Sequence, residues 1–579
     1  MNLLQLKASD PKSSAWVSAS AGTGKTKILT DRVLRLLLSG TALNKILCLT
    51  FTNAAAGEMK ERISGALANW SNLSHTELQK KLINVFGRSA TKTEIDKASI
   101  LYRRYLQADE GINIQTIHSF CQKLLKKFPL EAKISPGFKI IDDAKAYFVL
   151  QKIKRELLNK QELEPINEYL SVNFHEIIID EIFSEIIKRK SKFTSSDNKK
   201  HDLHKESAEL INSLDKNIDH KYQPIIESPF IHNIVGFNPS ISELKKFFLT
   251  KEGQKKKRIV PKKIAAPGSS TYIDLERFQH QIHLLDQEEK SQKLALHSKI
   301  LALLADSIIT AYDSYKLEKG LLDYDDLIIH TSQLLKNSEA KEWVLYKLDG
   351  GIEHLLVDEA QDTSAHQWQI ISSMIEEFYS GDEKERTIFV VGDDKQSIFS
   401  FQGADVDSFA AMNKKLTQNM SEGEKAFADV NLEISYRSAG EILEIVHAVF
   451  DDIKNKNPAL FTANLMQLTP FRSESSGAVE LWPLCEPDKD ETIFWPATNS
   501  SDEKAAELEL AKKISLYIKE QLDSKRIIPS TNAPIASSDF MILFRRRNQF
   551  TNEVIKALKN ENLEVSGLDR ISLRDNLAV

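Results

Sequence analysis

Cysteine is scarce in this chain: Cys48, Cys121 and Cys485 are the three among 579 residues. None belongs to a C-x-x-C pair, which excludes a zinc ribbon, and the wide spacing argues against a disulfide framework. That usage fits a reducing compartment, so a cytoplasmic location is expected. The opening Met1-Asn2-Leu3-Leu4-Gln5-Leu6-Lys7 lacks the long apolar core of a signal peptide. No uninterrupted apolar stretch reaches the roughly 20 residues that span a bilayer, so no membrane partner is expected. A large excess of one charge is missing too. Lys and Arg total 77 against 82 Asp and Glu, a net of −5. This excludes a uniformly basic nucleic-acid coat but leaves room for a local basic groove. No internal repeat is visible. A hydrophobic fraction of 41% excludes a wholly disordered chain, and the length allows several buried cores.

The apolar runs that are present have an order. Ala15-Trp16-Val17 is followed by a glycine-rich loop, and then Ile28, Leu29, Val33, Leu36 and Leu37 recur at helical spacing before Gly40. Ile46–Leu49, Leu355–Val357 and Ile388–Val391 are further short apolar runs among helical windows. This alternation predicts an α/β fold with a parallel sheet covered on both faces. Residues 130–300 are Lys-, Glu- and Ile-rich and predict a mainly helical insertion. Its basic runs, Lys188–Lys190 and Lys255–Arg258 with Lys262 and Lys263, suit either a solvated helix face or a nucleic-acid groove. Phe540–Phe544 is the last strand candidate, with a helix from about Asn552 to Lys559.

The chemistry concentrates at three places. Ala19-Ser20-Ala21-Gly22-Thr23-Gly24-Lys25-Thr26 follows a strand and opens a helix, the setting of a phosphate-binding loop. Small residues let backbone N–H groups approach phosphate oxygens, and the helix N-terminus adds partial positive charge. Lys25 is placed for the β- and γ-phosphates of ATP and the Thr26 hydroxyl for Mg²⁺. Leu355–Val357 ends in Asp358-Glu359, one carboxylate to hold Mg²⁺ and one to polarise the attacking water. Val391-Gly392-Asp393-Asp394-Lys395-Gln396 ends the next strand, and Gln396 is placed to sense a γ-phosphate.

These residues resemble the superfamily 1 DNA helicases of the UvrD/Rep class. The loop with Ala19 in first place is similar to that family's own variant. Leu49–Met59, Thr116–Phe120, Asp358–Asp362, Gly392–Phe399 and Ser435–Ser438 resemble its further motifs, in the family's order. Trp16–Gly22, Ile114–His118 with Phe128–Ala132, and Gly477–Leu484 resemble the large subunits of AddAB-type helicase-nucleases, over nearly the whole chain. The resemblance implies a RecA-like P-loop motor domain in two parts, residues 1–130 and 301–430. A helical insertion at 131–300 divides them, and a partial second RecA-like domain follows at 431–579. It implies an ATP-dependent helicase or translocase of 3′–5′ class in double-strand-break repair, acting on single-stranded or duplex DNA with an AddB-like subunit. By the same resemblance Gln5 reads adenine, Tyr436 stacks on it, and Arg437 acts as an arginine finger. Phe51, Phe399 and Phe401 then stack on bases, while Thr52, Asn53, Thr116 and His118 position the DNA backbone.

The family's motifs V and VI and its carboxy-terminal nuclease domain have no counterpart here. An incomplete second motor domain is therefore expected, with three explanations open: one half of a split protein that assembles with a second polypeptide carrying motifs V and VI, a truncated or decaying version, or part of a longer product. A protein that binds ATP or DNA without turnover is the alternative reading.

Overall fold

The computed structural model describes residues 3–566 apart from 109–110, 191–192, 194–217, 262–264, 337–340, 345–346, 348–351, 380–384, 401–402, 458–466, 475, 486–500 and 530. Strands β1 (Ser14–Ala19), β2 (Ile46–Thr50), β3 (Asn113–Thr116), β4 (Lys139–Ile140), β5 (Leu321–Leu322), β6 (His354–Val357), β7 (Thr387–Gly392) and β8 (Phe427–Leu432) carry the first 432 residues. Six of them form one sheet in the order β3-β2-β6-β7-β1-β8, and every pairing is parallel. All residues of β2, β6 and β7 are buried, as continuous apolar runs require when helices cover both faces. Alternate side chains feed two cores. Val17, Cys48, Leu356, Phe389 and Val391 meet Ile28, Leu29 and Val33 on one face. Trp16, Leu47, Leu49, Leu355, Val357, Ile388 and Val390 meet Phe120, Leu327, Trp368 and Leu416 on the other. The expected α/β parallel-sheet architecture is present.

The helix Lys25–Ser39 connects β1 to β2. It stops at Gly40, whose φ of 108° and N–H donation to Leu36 and Leu37 carbonyls close the last turn.

Between β3 and β6 the chain is mainly helical. The 50-residue helix Ser270–Lys319, about 75 Å at 1.5 Å per residue, is the spine of two cores. Leu296, Ile300, Leu304, Ile308 and Tyr312 pack on Ile153, Leu157 and Phe183. Tyr272, Leu275, Phe278 and Ile282 pack on Tyr222, Leu244 and Phe248. Among the described residues this is the one helix long and apolar enough to cross a membrane by length and composition, and helix packing accounts for its apolar stripe. The short parallel pair β4 and β5 closes the neck of this region. There a basic run changes meaning. Lys190 is buried, with Nζ 2.9 Å from both Asp313 and Asp326. Lys316 shares the cluster at 2.6 Å from Asp323 and 2.5 Å from Asp326. Lys190 is a structural cation and not part of a solvated face. Lys255, Lys257 and Arg258 do lie exposed, while Lys262 and Lys263 fall outside the described residues.

Beyond β8 the expected strand Phe540–Phe544 does not form. Asp539 accepts the Ala536 N–H and closes a 3₁₀ turn. The following residues have no ladder partner among the described residues. Phe540 and Phe544 still turn toward a small core of Ala511, Ile518, Val554 and Leu558, while Met541 and Leu543 face outward. Ile542 between them is exposed as well, so the segment keeps neither a strand's full alternation nor a neighbouring strand to pair it. The helix Gln549–Asn560 does follow.

Candidate nucleotide site and strand-end surface

Parallel strands bring their C-terminal ends to one edge of the sheet, where ligands of α/β folds gather. At that edge β1 runs into the loop Ser20–Gly24, β6 into Asp358 and Glu359, and β7 into Asp393. At the same edge β2 runs into Phe51, β3 into Thr116 and β8 toward Tyr436. Residues scattered from 19 to 437 in sequence become neighbours for this reason alone.

The loop is shaped by its own hydrogen bonds. The Ser20 carbonyl accepts both the Thr23 N–H at 3.3 Å and the Thr23 hydroxyl at 2.7 Å. Ala19 is buried as the last residue of β1, and Ala21 is exposed. Gly22 and Gly24 take φ of 82° and 91°, the left-handed region that favours glycine. Gly22 also has a neighbour that forbids a side chain: a Cβ there would lie 2.6 Å from Arg437 Cβ. Its carbonyl accepts the Tyr436 N–H at 2.7 Å. The segment after β8 is thus seated on the loop. Tyr436 and the Gln5 amide both approach Gly24, so Gln5, Gly24 and Tyr436 converge. Tyr436 in turn rests against Phe471, ring centroids 4.8 Å apart. Arg437 projects an exposed side chain.

Lys25 reaches across the edge. Its Nζ lies 2.9 Å from Glu359 Oε2 and 3.3 Å from Gln396 Oε1. Gln361 links the two acidic strand ends: its Nε2 donates to Glu359 Oε2 at 2.7 Å, and its Oε1 accepts the Asp393 N–H at 3.0 Å. Gln396 Nε2 donates to Asp393 Oδ2 at 2.6 Å. Burial opposes ionisation of Asp393, but the Gln396 hydrogen bond and the Lys395 charge hold its carboxyl below the ordinary value. Glu359 adopts φ of 48°, a strained conformation for a non-glycine residue and one that clusters at functional sites. Asp358 is buried, and burial together with the Glu359 charge pushes its pKa up to about 6. A cation beside it would offset both effects. One buried carboxylate and one hydroxyl, from Thr26 in the first turn of Lys25–Ser39, fit Mg²⁺, which keeps waters and phosphate oxygens for its remaining positions.

A second group lies along the β2 and β3 ends. Phe51 and Phe399 are in contact, centroids 4.5 Å apart. Thr52 and Thr116 cap the helices Asn53–Ser71 and Ile117–Lys127 by accepting the Ala55 and Ser119 N–H groups. Asn53 is exposed. His118 packs edge-on to Tyr324 at 5.7 Å, and burial lowers its pKa. Phe401 lies outside the described residues. Sequence reasoning gave no role to Gln361, Asp393, Phe471 or Tyr324. The first two sit inside quoted motifs, two or three residues from named acids or amides, and that spacing was a usable signal. Half-exposed Tyr324 carried only its place in Asp323-Tyr324-Asp325-Asp326.

The UvrD/REP helicase N-terminal domain family matches residues 1–417 of this chain. The chain belongs to that family. Relatives named as the A subunits of ATP-dependent helicase/nucleases are similar to it at greater length. That of Listeria welshimeri is 24% identical, covering 91% of this chain and 46% of the relative. That of Lysinibacillus sphaericus is 24% identical, covering 93% and 47%. That of Staphylococcus carnosus is 25% identical, covering 76% and 38%. The chain therefore spans about half the length, or less, of these curated relatives.

Proposed function

We propose that this UvrD/REP family chain is an ATP-driven DNA motor, a helicase or translocase serving double-strand-break repair. The observation that carries the reading is the convergence on Lys25. One ammonium touches the acid after β6 and the amide after β7, directly behind a glycine loop that Tyr436 closes from the other side.

In this reading the loop N–H groups and Lys25 bind the triphosphate, and Gln5 and Tyr436 hold the base. Glu359 takes a proton from the attacking water. Thr26 and Asp358 would hold Mg²⁺, which would neutralise charge on the phosphates when bound. Arg437 adds positive charge from the segment after β8, a contribution worth ~10³–10⁵ in rate in related phosphoryl transfers. Gln396 links the phosphate to the stretch 397–400 that carries Phe399. Phe51 and Phe399 stack on bases without reading their sequence. Thr52, Asn53, Thr116 and His118 face the backbone, their helix N-termini supplying N–H donors. Tyr324 extends this aromatic row, and Phe401 belongs to it by sequence. The relatives are named as subunits, which supports a partner subunit, AddB-like by the sequence resemblance; a cytoplasmic setting, proposed from the sparse, unpaired cysteines, belongs to the same reading. So does the division into a motor domain, a helical insertion and a second motor unit, with the bounds expected at 300 and 430 moved to the end of the helix Ser270–Lys319 and the end of β8.

Binding of a fluorescent ATP analogue with and without Mg²⁺ tests the assignment. Mg²⁺-dependent binding that Lys25→Ala abolishes supports it. Equal binding by the Lys25→Ala protein overturns it.

A further inference from the structure

We infer that Arg32 and Arg35 are positioning residues for base selection, clamping the segment that carries Gln5 onto the phosphate-loop helix. The inference rests on the nucleotide reading above. Gln5 lies on the helix Leu3–Ala8, six residues long and far too short to hold its own shape in water. Something else must fix where its amide stands. Two turns beyond Lys25, Arg32 is fully buried on the same helix as the loop lysine. Its Nη1 donates to the carbonyls of Ala8 at 3.0 Å and Asp10 at 2.7 Å. Its Nη2 donates to the Ser13 carbonyl at 2.6 Å and the Thr387 hydroxyl at 3.0 Å. Arg35 Nη1 donates to the Leu6 carbonyl at 2.9 Å and the Ser9 hydroxyl at 2.7 Å.

Two of these acceptors, the Leu6 and Ala8 carbonyls, lie in the last turn of the short helix, where carbonyls lack intrahelical partners and a cation is favoured; the Asp10 and Ser13 carbonyls extend the clamp along the chain that leads into β1. Burying a guanidinium is costly, and an apolar side chain of similar size would pack as well. What the guanidinium adds is a rigid fork that fixes several main-chain positions at once. Leu6 is seated on the opposite side against Gly87, where a Cβ would collide with it. Gln5, between Leu4 and Leu6, is thereby held buried with Nε2 3.6 Å from the Cβ position of Gly24. A glutamine amide offers one donor and one acceptor, which matches the adenine N6 and N7 edge and mismatches the two acceptors of guanine. The clamp therefore sets adenine-over-guanine preference, and triphosphate binding is left to the loop.

The test measures dissociation constants of fluorescent ATP and GTP analogues for the full chain and for Arg35→Ala, Arg32→Lys, Gln5→Ala and the Gln5→Ala/Arg35→Ala double variant. Each single variant should lower the ATP-to-GTP preference about ten-fold through weaker ATP binding with GTP binding unchanged. The double variant should lose no more than either single one. Should Arg32→Lys fail to fold, Arg35→Ala carries the test, because Arg32 and its four bonds remain. Equal weakening of both nucleotides by Arg35→Ala would mean a merely structural role and overturn the inference. So would additive losses in the double variant. A preference that falls in Gln5→Ala and not in Arg35→Ala overturns the clamp while leaving the nucleotide site standing. Retained binding by Lys25→Ala would instead overturn the site itself.

Discussion

Substituting Glu359 by glutamine should tighten ATP binding while nearly stopping turnover, and this split separates the proposed chemistry from a simple structural role. Without nucleotide, Lys25 is paired with Glu359 at 2.9 Å, the side chains 11% and 37% exposed. At an effective dielectric near 20 the gross attraction at such a distance is about 6 kcal/mol. Desolvation and side-chain ordering cancel most of this, leaving a net of ~1 kcal/mol. A triphosphate must displace that carboxylate to claim Lys25. Glutamine keeps the shape and still accepts from the Gln361 amide that Glu359 Oε2 now holds, but it no longer competes as an anion. ATP affinity should therefore rise roughly five-fold. Hydrolysis should fall ~10²–10⁴-fold, because the amide cannot take the proton of the attacking water. Equilibrium titration with a fluorescent ATP analogue gives the first quantity and single-turnover hydrolysis the second. Weaker binding with unchanged turnover would refute both the displacement argument and the role of Glu359.

Three further outcomes follow from named contacts. His354 is buried, and burial together with Arg32 lowers its pKa to about 4. The Thr387 hydroxyl accepts from Arg32, so its own proton goes to His354 Nδ1, 2.8 Å away. The fold thus favours the neutral ring. Its stabilisation is complete above about pH 6.5 and is lost as pH falls toward 4, by up to about 3 kcal/mol. Thermal melts from pH 7.5 to 4.5 should show this loss, and His354→Asn should flatten it; parallel pH profiles would contradict the assignment. Gly22→Ala should weaken nucleotide binding at least ten-fold and lower stability by about 1–3 kcal/mol, since the methyl meets Arg437 Cβ at 2.6 Å and φ is 82°; melting and titration unchanged from the parent would rule it out. Phe51→Ala and Phe399→Ala should each weaken single-stranded DNA binding by ~1–3 kcal/mol. Because the two rings touch, the double variant should lose less than the sum, and strict additivity would show that they act apart.

Much of the site was legible because its motifs sit at strand ends. A continuous apolar run followed by Gly-x-Gly-Lys-Thr or by Asp-Glu announces both a buried strand and what lies at its tip. Parallel pairing then does the assembling. The network between tips was harder to read. Gln361 bridges Glu359 to Asp393 only because β6 and β7 are neighbours in the sheet, and strand order is not written in any one segment. Tyr324 meets His118 across 206 positions of sequence, a contact no local pattern announces. Lys190 misled for the opposite reason: a run of basic residues looks solvated until three distant aspartates close around it and Lys316. Phe540–Phe544 has a strand's composition, but β-structure needs a neighbour, and propensity alone cannot supply one.

In the proposed motor, one edge of the sheet binds ATP beside a surface that binds DNA, and the two are coupled. Steady-state ATP hydrolysis with and without single-stranded DNA tests this most directly, in the parent chain, Lys25→Ala and Phe51→Ala/Phe399→Ala. Hydrolysis should rise when DNA is added, vanish in Lys25→Ala, and keep its basal level but lose its DNA response in the double phenylalanine variant. Hydrolysis indifferent to DNA in the parent, or persisting in Lys25→Ala, would contradict it.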